Sequence, residues 1–167
     1  MSFFIDSAML DALGAEAKQS LRLRKNRNFH AHESAASHRL LNALEPGSYL
    51  QPHRHLDATK DESILILRGV LGAVFFDESG AVTDTALLSP GGATVGLNIP
   101  SGTYHTVFAL EAGTVIFEAK AGPYAPLVAA EKAPWAPAEG AVEAKDYMER
   151  LSRLVVSREA DNKAGRQ

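Results

Sequence analysis

Cysteine is absent from the 167 residues, which excludes disulfides, iron–sulfur clusters and thiolate zinc sites. Long apolar runs are absent too, because no predominantly apolar stretch approaches the roughly 20 residues that span a bilayer. Basic residues are scattered and the net charge is only −3, so the electrostatic surface of a nucleic-acid-binding protein is missing. We therefore expect a small-molecule ligand, with no nucleic acid and no membrane. The apolar start lacks a basic leader and is interrupted by Asp6 and Asp11, which predicts a cytoplasmic location.

The middle of the chain consists of short apolar runs separated by turn signals. Such runs lie at residues 38–44, 64–69, 71–76 and 114–119, and the turns near them are rich in glycine, proline and aspartate. Strands of this length, at intervals of about 8 to 12 residues, predict an all-β sandwich or barrel.

Helical patterns flank this region on both sides. Apolar residues recur at helical spacing from Met9 to Ala17 behind Asp6, and the basic residues 21–28 favour a solvated connector. A stretch rich in alanine and proline precedes a second helical pattern over residues 142–155. We expect one domain with three segments: the N-terminal helix and connector (1–37), the barrel core (38–124), and a wrapping segment, C-terminal helix and frayed tail (125–167).

Three histidines and one glutamate form the pattern that says most about function. A single residue separates His53 from His55. Side chains two positions apart on a strand point to the same face and lie about 6.6 Å from each other. Glu62 begins a strand expected to return antiparallel and to bring its carboxylate opposite the histidine pair. His105 follows a turn and can close the site from another part of the barrel. Together these residues predict a metal site of nitrogen and oxygen ligands.

Two features of this pattern have other interpretations. Glu62 also fits a surface carboxylate at the end of a hairpin. A second pair, His30 and His32, has no glutamate-and-glycine strand pattern behind it and favours a polar N-terminal strand. The identity of the metal stays open, because imidazole and carboxylate ligands accept iron, manganese, nickel, cobalt or zinc.

The spacing around these ligands resembles the two cupin motifs. Residues 47–69 resemble the first motif and residues 100–105 the second. Glu62 precedes Gly69 by the six residues that cupins use, so the longer spacing from His55 can be absorbed in the loop 56–61. Over nearly its whole length the chain is also similar to the WbuC-type cupin-fold metalloproteins, through residues 28–30, 39–43, 52–55, 117–124 and 135–139.

That resemblance implies a fold, a cofactor and a biological setting. The fold is an all-β cupin jelly-roll barrel, the double-stranded β-helix, with short N-terminal and C-terminal helices. The cofactor is one divalent transition metal. Some relatives are associated with genes of bacterial surface-polysaccharide biosynthesis, which makes a sugar-related role an expectation for this chain.

Further side chains are candidates for contacting a substrate. Strand alternation places Tyr49 and Gln51 on the face of His53. A cationic or hydroxyl group at the barrel mouth would suit a ligand carboxylate or phosphate, which makes Arg39, Lys120 and Tyr124 candidates. The alternative for the charged residues is a structural ion pair, joining Glu118 to Lys120 or to Arg39.

These residues support three hypotheses about function. The first is a metal-dependent enzyme on a small polar metabolite, acting as an isomerase or epimerase, or as an oxygenase with iron. The second is a non-catalytic module that binds a sugar or a small acid through the metal. The third is a structural metal, for which an open imidazole and carboxylate site is less suited than a closed one.

The chain is further expected to be a homodimer. Small barrels expose strand edges, and residues 30–44 could cover the edge of a partner copy.

Overall fold

The computed structural model describes residues 4–165, without the side chains of residues 162 and 163, and shows two antiparallel sheets and two helices. In chain order the elements are α1 (Ser7–Gln19), β1 (Arg24–Asn28), β2 (Ser37–Leu44), β3 (Glu62–Arg68), β4 (Leu71–Phe76), β5 (Val82–Leu88), β6 (Gly96–Ile99), β7 (Tyr104–Ala109), β8 (Thr114–Ala121), a 3-10 turn (Ala129–Glu131) and α2 (Ala144–Ala164). Residues 1–3 and 166–167, at the ends of the first and third predicted segments, lie outside the described residues. The division into 1–37, 38–124 and 125–167 stays a prediction.

The two sheets face each other across one apolar core. The larger sheet has the strand order β1-β2-β8-β3-β6 and the smaller one β5-β4-β7. Residues alternate between buried and exposed along β3, so Ile64 and Ile66 point inward and meet Leu71 and Val107 of the smaller sheet. The predicted all-β jelly-roll barrel with a helix at each end is thereby confirmed.

The helices cover the outer faces of the two sheets. Asp6 caps α1, because its side chain accepts a hydrogen bond from Met9 N at 2.9 Å, and Leu13 and Ala17 pack on the larger sheet. Leu151 of α2 packs on the smaller sheet. No helix within residues 4–165 combines the length and apolarity that crossing a membrane requires.

An irregular segment, residues 123–139, runs beside the barrel, and we call it the strap. Its backbone bonds the segment that carries the paired histidines. Arg54 N donates to Glu131 O at 2.9 Å, and Ala133 N donates to Pro52 O at 2.9 Å. The strap therefore fixes residues 52–54 without a regular sheet.

Three expectations for secondary structure are wrong. The basic segment 21–28 contains β1, an edge strand, and charged side chains are usual on edges because they oppose strand addition. The tail is helical to Ala164 instead of frayed beyond Val155, since its charged residues are good helix formers. His30 and His32 lie in a bend between β1 and β2 instead of in a strand.

The reason given for a homodimer is also wrong. β2 is paired with β1 on one side and β8 on the other, so it is an interior strand and presents no edge to a partner copy. The homodimer itself stays a prediction, to be checked by light scattering at micromolar concentration.

Gly69, in the turn between β3 and β4, is expected to be intolerant of a side chain. Its φ is +76°, and an added Cβ would lie 2.8 Å from Thr114 Cα. Gly69→Ala should lower the free energy of unfolding by about 3 kcal/mol, measured by urea denaturation. Gly91→Ala is the control, because Gly91 has a φ of +72° but no atom within 4 Å of the added Cβ. It should cost about 1 kcal/mol, and equal losses would contradict the steric explanation.

Candidate metal centre

The backbones of His53 and His105 hold these two residues together. His53 N donates to His105 O at 3.0 Å, and His105 N donates to His53 O at 2.9 Å. This isolated antiparallel bridge sets the two ring centroids 4.7 Å apart. Two histidines distant in sequence are thus neighbours because of backbone pairing.

Backbone carbonyls also orient both imidazole rings. Nδ1 of His53 lies 3.1 Å from Gln51 O, and Nδ1 of His105 lies 2.9 Å from Thr103 O. A carbonyl oxygen only accepts hydrogen bonds, so each Nδ1 carries the proton and donates. In the neutral ring Nε2 then presents a lone pair, the arrangement found in most metal-binding histidines.

Glu62 reaches the histidines from the opposite sheet. It is the first residue of β3 and shares the inward face with Ile64. Its Oε2 lies 3.2 Å from His55 Nε2 and 3.9 Å from His105 Nε2. A shift of one residue in β3 would turn this carboxylate outward.

The types of donor atom at this wall, imidazole nitrogen and carboxylate oxygen, suit a divalent transition metal. Atoms about 2.1 Å from one ion lie about 3.0–3.4 Å apart at octahedral or tetrahedral angles. The 3.2 Å separation of Glu62 from His55 falls in this range, and the 3.9 Å separation of Glu62 from His105 exceeds it. Across residues 4–165, no three His, Asp or Glu side chains are already at the spacing of a bound ion. His55 Nε2 instead donates a hydrogen bond to Glu62, and a metal would replace that proton.

The predicted position of the paired histidines within the sheet is wrong. His53 makes only isolated bridges, to His105 and Lys132, whereas β3 pairs with β6 and β8. Glu62 is therefore brought to the histidines across the barrel and not along a shared hairpin. The segment that carries His53 and His55 does not pair with β3, so the length of the loop between them does not determine where Glu62 lies.

Burial sets the protonation of the histidines. It lowers the pKa of His53 to about 3, with the neighbouring His105 acting in the same direction. It also lowers the pKa of His105, against the opposing charge of Glu62. Both rings are therefore neutral at neutral pH, as metal ligands must be.

Two carboxyl groups, of Glu62 and Glu118, and one ammonium group, of Lys120, lie beside these rings. Burial alone would raise the pKa of Glu62, but the hydrogen bond from His55 and the charge of Lys120 hold it well below its usual value. Lys120 Nζ lies 3.7 Å from Glu62 and 2.7 Å from Glu118. Burial and then the charge of Glu62 raise the pKa of Glu118. Glu62 is ionised and Lys120 is protonated, so the raised pKa of Glu118 means that a second negative charge at this wall is disfavoured. A bound cation would relieve the repulsion between the carboxylates of Glu62 and Glu118.

A cavity of about 640 Å³ opens in front of this wall. The predicted residues that line it are His53, His55, Glu62, His105, Gln51, Lys120 and Tyr124. The Glu118–Lys120 ion pair, the alternative offered for the charged residues, is present and also faces the cavity. Tyr124 stands at the mouth and is 55% exposed, which leaves it accessible to a ligand.

Two predicted contacts lie outside the cavity lining. Arg39 lies between His38 and Leu40 on β2, and strand alternation turns it to the other face. Tyr49 donates its hydroxyl hydrogen bond to Pro137 O at 2.8 Å and packs against Tyr147. Its role is to attach the strap.

Sequence reasoning missed three asparagines that line the same cavity: Asn26 and Asn28 on β1, and Asn42 on β2. The signal for Asn26 and Asn28 was the alternation of asparagine with a basic residue in 26–28, which has the period of a strand. It went unnoticed because that segment was interpreted as a connector.

The lowered pKa of His53 predicts a loss of stability in acid for protein treated with EDTA. The unfolded chain binds a proton near the ordinary pKa of 6.5, whereas folded His53 stays neutral, so stability falls as pH drops from 6.5 towards 3. Between pH 7 and pH 5 the free energy of unfolding should fall by about 2 kcal/mol from this residue. Urea denaturation at each pH checks this. His53→Gln should flatten the dependence and His30→Gln should not, and an equal effect of both would refute the assignment.

Solved structures show a related fold. The chain is similar to the SPY1581 protein of unknown function from Streptococcus pyogenes, with 15% identity over 75% of this chain and 91% of that one and a TM-score of 0.50. It also aligns with KdgF from Halomonas sp., with 19% identity over 61% of this chain and 82% of that one and a TM-score of 0.48. A mutant of Bacillus subtilis oxalate decarboxylase aligns at 22% identity over 60% of this chain and 26% of that one, with a TM-score of 0.48. At 15% identity the likeness to the SPY1581 protein concerns the fold alone.

Sequence comparisons assign the family. No curated protein matches the chain. The family described as "Domain of unknown function (DUF6016)" matches residues 5–88, from α1 through β5. That range includes His53, His55 and Glu62, and the resemblance to WbuC-type proteins stays a prediction beside it. Because the match spans half of the sequence, the chain belongs to the DUF6016 family.

Proposed function

We propose that this protein binds one divalent transition metal through His53, His55, Glu62 and His105 and acts with it on a small polar metabolite. The observation that carries the proposal is the convergence of these four side chains on one buried cavity wall. Two of the imidazoles have Nδ1 engaged by backbone carbonyls, which leaves Nε2 for a metal.

The reaction class that this site suits is isomerisation or epimerisation, or oxygenation if the metal is iron. A bound divalent ion would supply Lewis-acid polarisation of a ligand oxygen, or redox chemistry. Lys120 holds a proton beside the wall and can donate a hydrogen bond to a ligand oxygen. Apolar side chains such as Val107 and Ile116 also line the cavity.

Elemental analysis of the purified protein tests the metal centre. EDTA-treated protein is then titrated calorimetrically with manganese, iron(II), cobalt, nickel and zinc. We expect one binding site per chain, with a preference among the five ions. Failure of all five ions to bind would contradict the proposal.

A second candidate is a non-catalytic module that binds a sugar or a small acid through the metal. It is favoured by the 2.7 Å contact of Lys120 with Glu118, since an ammonium group held by a neighbouring carboxyl group is less free to transfer its proton to a ligand. NMR spectra of metal-loaded protein incubated with sugars and small hydroxy acids separate the two candidates. Conversion of any compound favours the enzyme, and binding without conversion favours the module.

A further inference from the structure

Two residues next to the proposed ligands face the back of the site, outside the cavity. Arg54 lies between His53 and His55, and side chains alternate along an extended chain, so Arg54 points away from the metal-binding wall. Tyr104 precedes His105 and points away from the wall for the same reason. The cavity lining accordingly contains the three histidines but neither Arg54 nor Tyr104.

These two outward side chains contact each other. In the antiparallel bridge that joins His53 to His105, the adjacent pair of residues is Arg54 and Tyr104. The guanidinium carbon of Arg54 lies over the Tyr104 ring, 4.3 Å from the ring centroid. The Arg54 side chain is only 19% exposed, so this cation–π contact is largely shielded from water and stronger than one on an open surface.

Both partners of this contact are also anchored to other parts of the barrel. Arg54 forms an ion pair with Glu78, in the turn between β4 and β5. Tyr104 is buried and packs edge-on against Trp135 of the strap, with the ring centroids 5.9 Å apart. We call Arg54, Tyr104, Glu78 and Trp135 the outer clamp.

The segment that carries the paired histidines needs side-chain contacts because its backbone belongs to no regular strand. His53 makes isolated bridges only, and His55 contributes one backbone bond, accepted by its carbonyl oxygen from Gly102 N at 2.7 Å. Arg54 holds its position at a cost, since its Nε is buried and has no hydrogen-bond acceptor among the described residues. The stacking on Tyr104 therefore outweighs one unmade hydrogen bond.

We propose that the outer clamp sets the separation of the His53–His55 pair from His105, and thereby the affinity of the site for its metal. Arg54 is the central positioning residue, because it lies outside the cavity and acts through the backbone that it shares with the two histidines beside it. A planar guanidinium suits this task, since its face stacks on a ring while its edge binds a carboxylate. The inference rests on the proposed function for the metal itself.

Hydrogen exchange of the metal-free full chain, followed by NMR, tests whether the clamp holds the two segments together. The amide hydrogens of His53 and His105 each bond to the other residue's carbonyl, so their exchange reports local opening of the bridge. Both should exchange about tenfold faster in Arg54→Gln. The control is Leu13→Ala, which removes a buried contact between α1 and the larger sheet and should leave the two exchange rates unchanged.

Calorimetric titration of zinc into EDTA-treated protein is the second measurement. The dissociation constant should rise about tenfold in Arg54→Gln and stay unchanged in Leu13→Ala. By charge alone, the loss of a cation near the site would strengthen zinc binding, so weaker binding reports changed geometry. Tyr104→Phe keeps the aromatic face and should match the wild type, whereas Tyr104→Leu should match Arg54→Gln.

The outcomes separate this inference from the proposed function. If zinc binds the wild type and Arg54→Gln equally well, the clamp is refuted and the metal centre stands. Slow exchange of both bridge amides in Arg54→Gln, or equally fast exchange in Leu13→Ala, also refutes the clamp. If the bridge amides respond as expected but no metal ion binds the wild type, the metal centre is refuted and the clamp stands as the contact that holds His53 to His105.

Discussion

Replacing His53 and His55 together by alanine is expected to reduce the metal content from about one ion per chain to background. The change removes two of four proposed ligands, and the remaining pair, Glu62 and His105, cannot retain an ion against a chelator. Most of the β-structure should persist, because the core between the sheets is built from other, apolar side chains. Elemental analysis and far-UV circular dichroism measure the two effects.

The matched control replaces the other His-x-His pair, His30 and His32, by alanine. Those residues lie in the bend before β2, and the metal content should not change. Full metal content in the His53/His55 variant would disprove the ligand assignment. If the metal-free variant unfolds outright, the ion is chiefly structural, since metal binding and folding are then one event.

Glu62→Gln is expected to weaken metal affinity by about 10- to 100-fold or more, the loss that even indirect partners of a metal cause. The neutral amide removes the negative charge that would bind the metal and that faces Lys120, and it leaves only one oxygen to accept hydrogen bonds from His55 and Lys120. Calorimetry with manganese and zinc should also show a changed preference between these ions, because an anionic oxygen ligand favours the harder ion.

The variant Glu118→Gln tests whether Glu62 binds the metal directly or only attracts it by negative charge. Glu118 is a buried carboxylate of the same cavity, bonded to Lys120 but not among the proposed ligands. Its replacement should change metal affinity by a few-fold at most. Equal losses in both variants would show that the cavity attracts the ion by its charge and that Glu62 is not a ligand.

Much of the barrel was predictable because its strands carry strong local signals. The apolar runs that became β2, β3, β4 and β8 are bounded by turns, and α1 has its cap at Asp6. β1 was not predictable from its own residues, because its sequence RKNRN contains no apolar residue that could show the alternation of a strand. It is a strand because its backbone pairs with β2. Tertiary pairing overrides weak local preference in such cases.

The candidate site was predictable in its residues but not in its construction. The spacing of His53, His55 and Glu62 identified residues that the structure brings together. The bridge between His53 and His105 joins distant segments, and no local pattern predicts it. The cytoplasmic location and the link to surface polysaccharides stay predictions.

The double bridge at His53 determines when the site can form. His53 is hydrogen-bonded to His105 on one side, and on the other side it is paired with Lys132 of the strap through the bonds of its neighbours Pro52 and Arg54. Both partners are synthesised much later than the histidine pair. Contacts of such long sequence separation close slowly and late in folding. A nascent chain would therefore carry its first three proposed ligands without a place to hold an ion until Lys132 has left the ribosome. Metal uptake would then follow the completion of folding and not direct it.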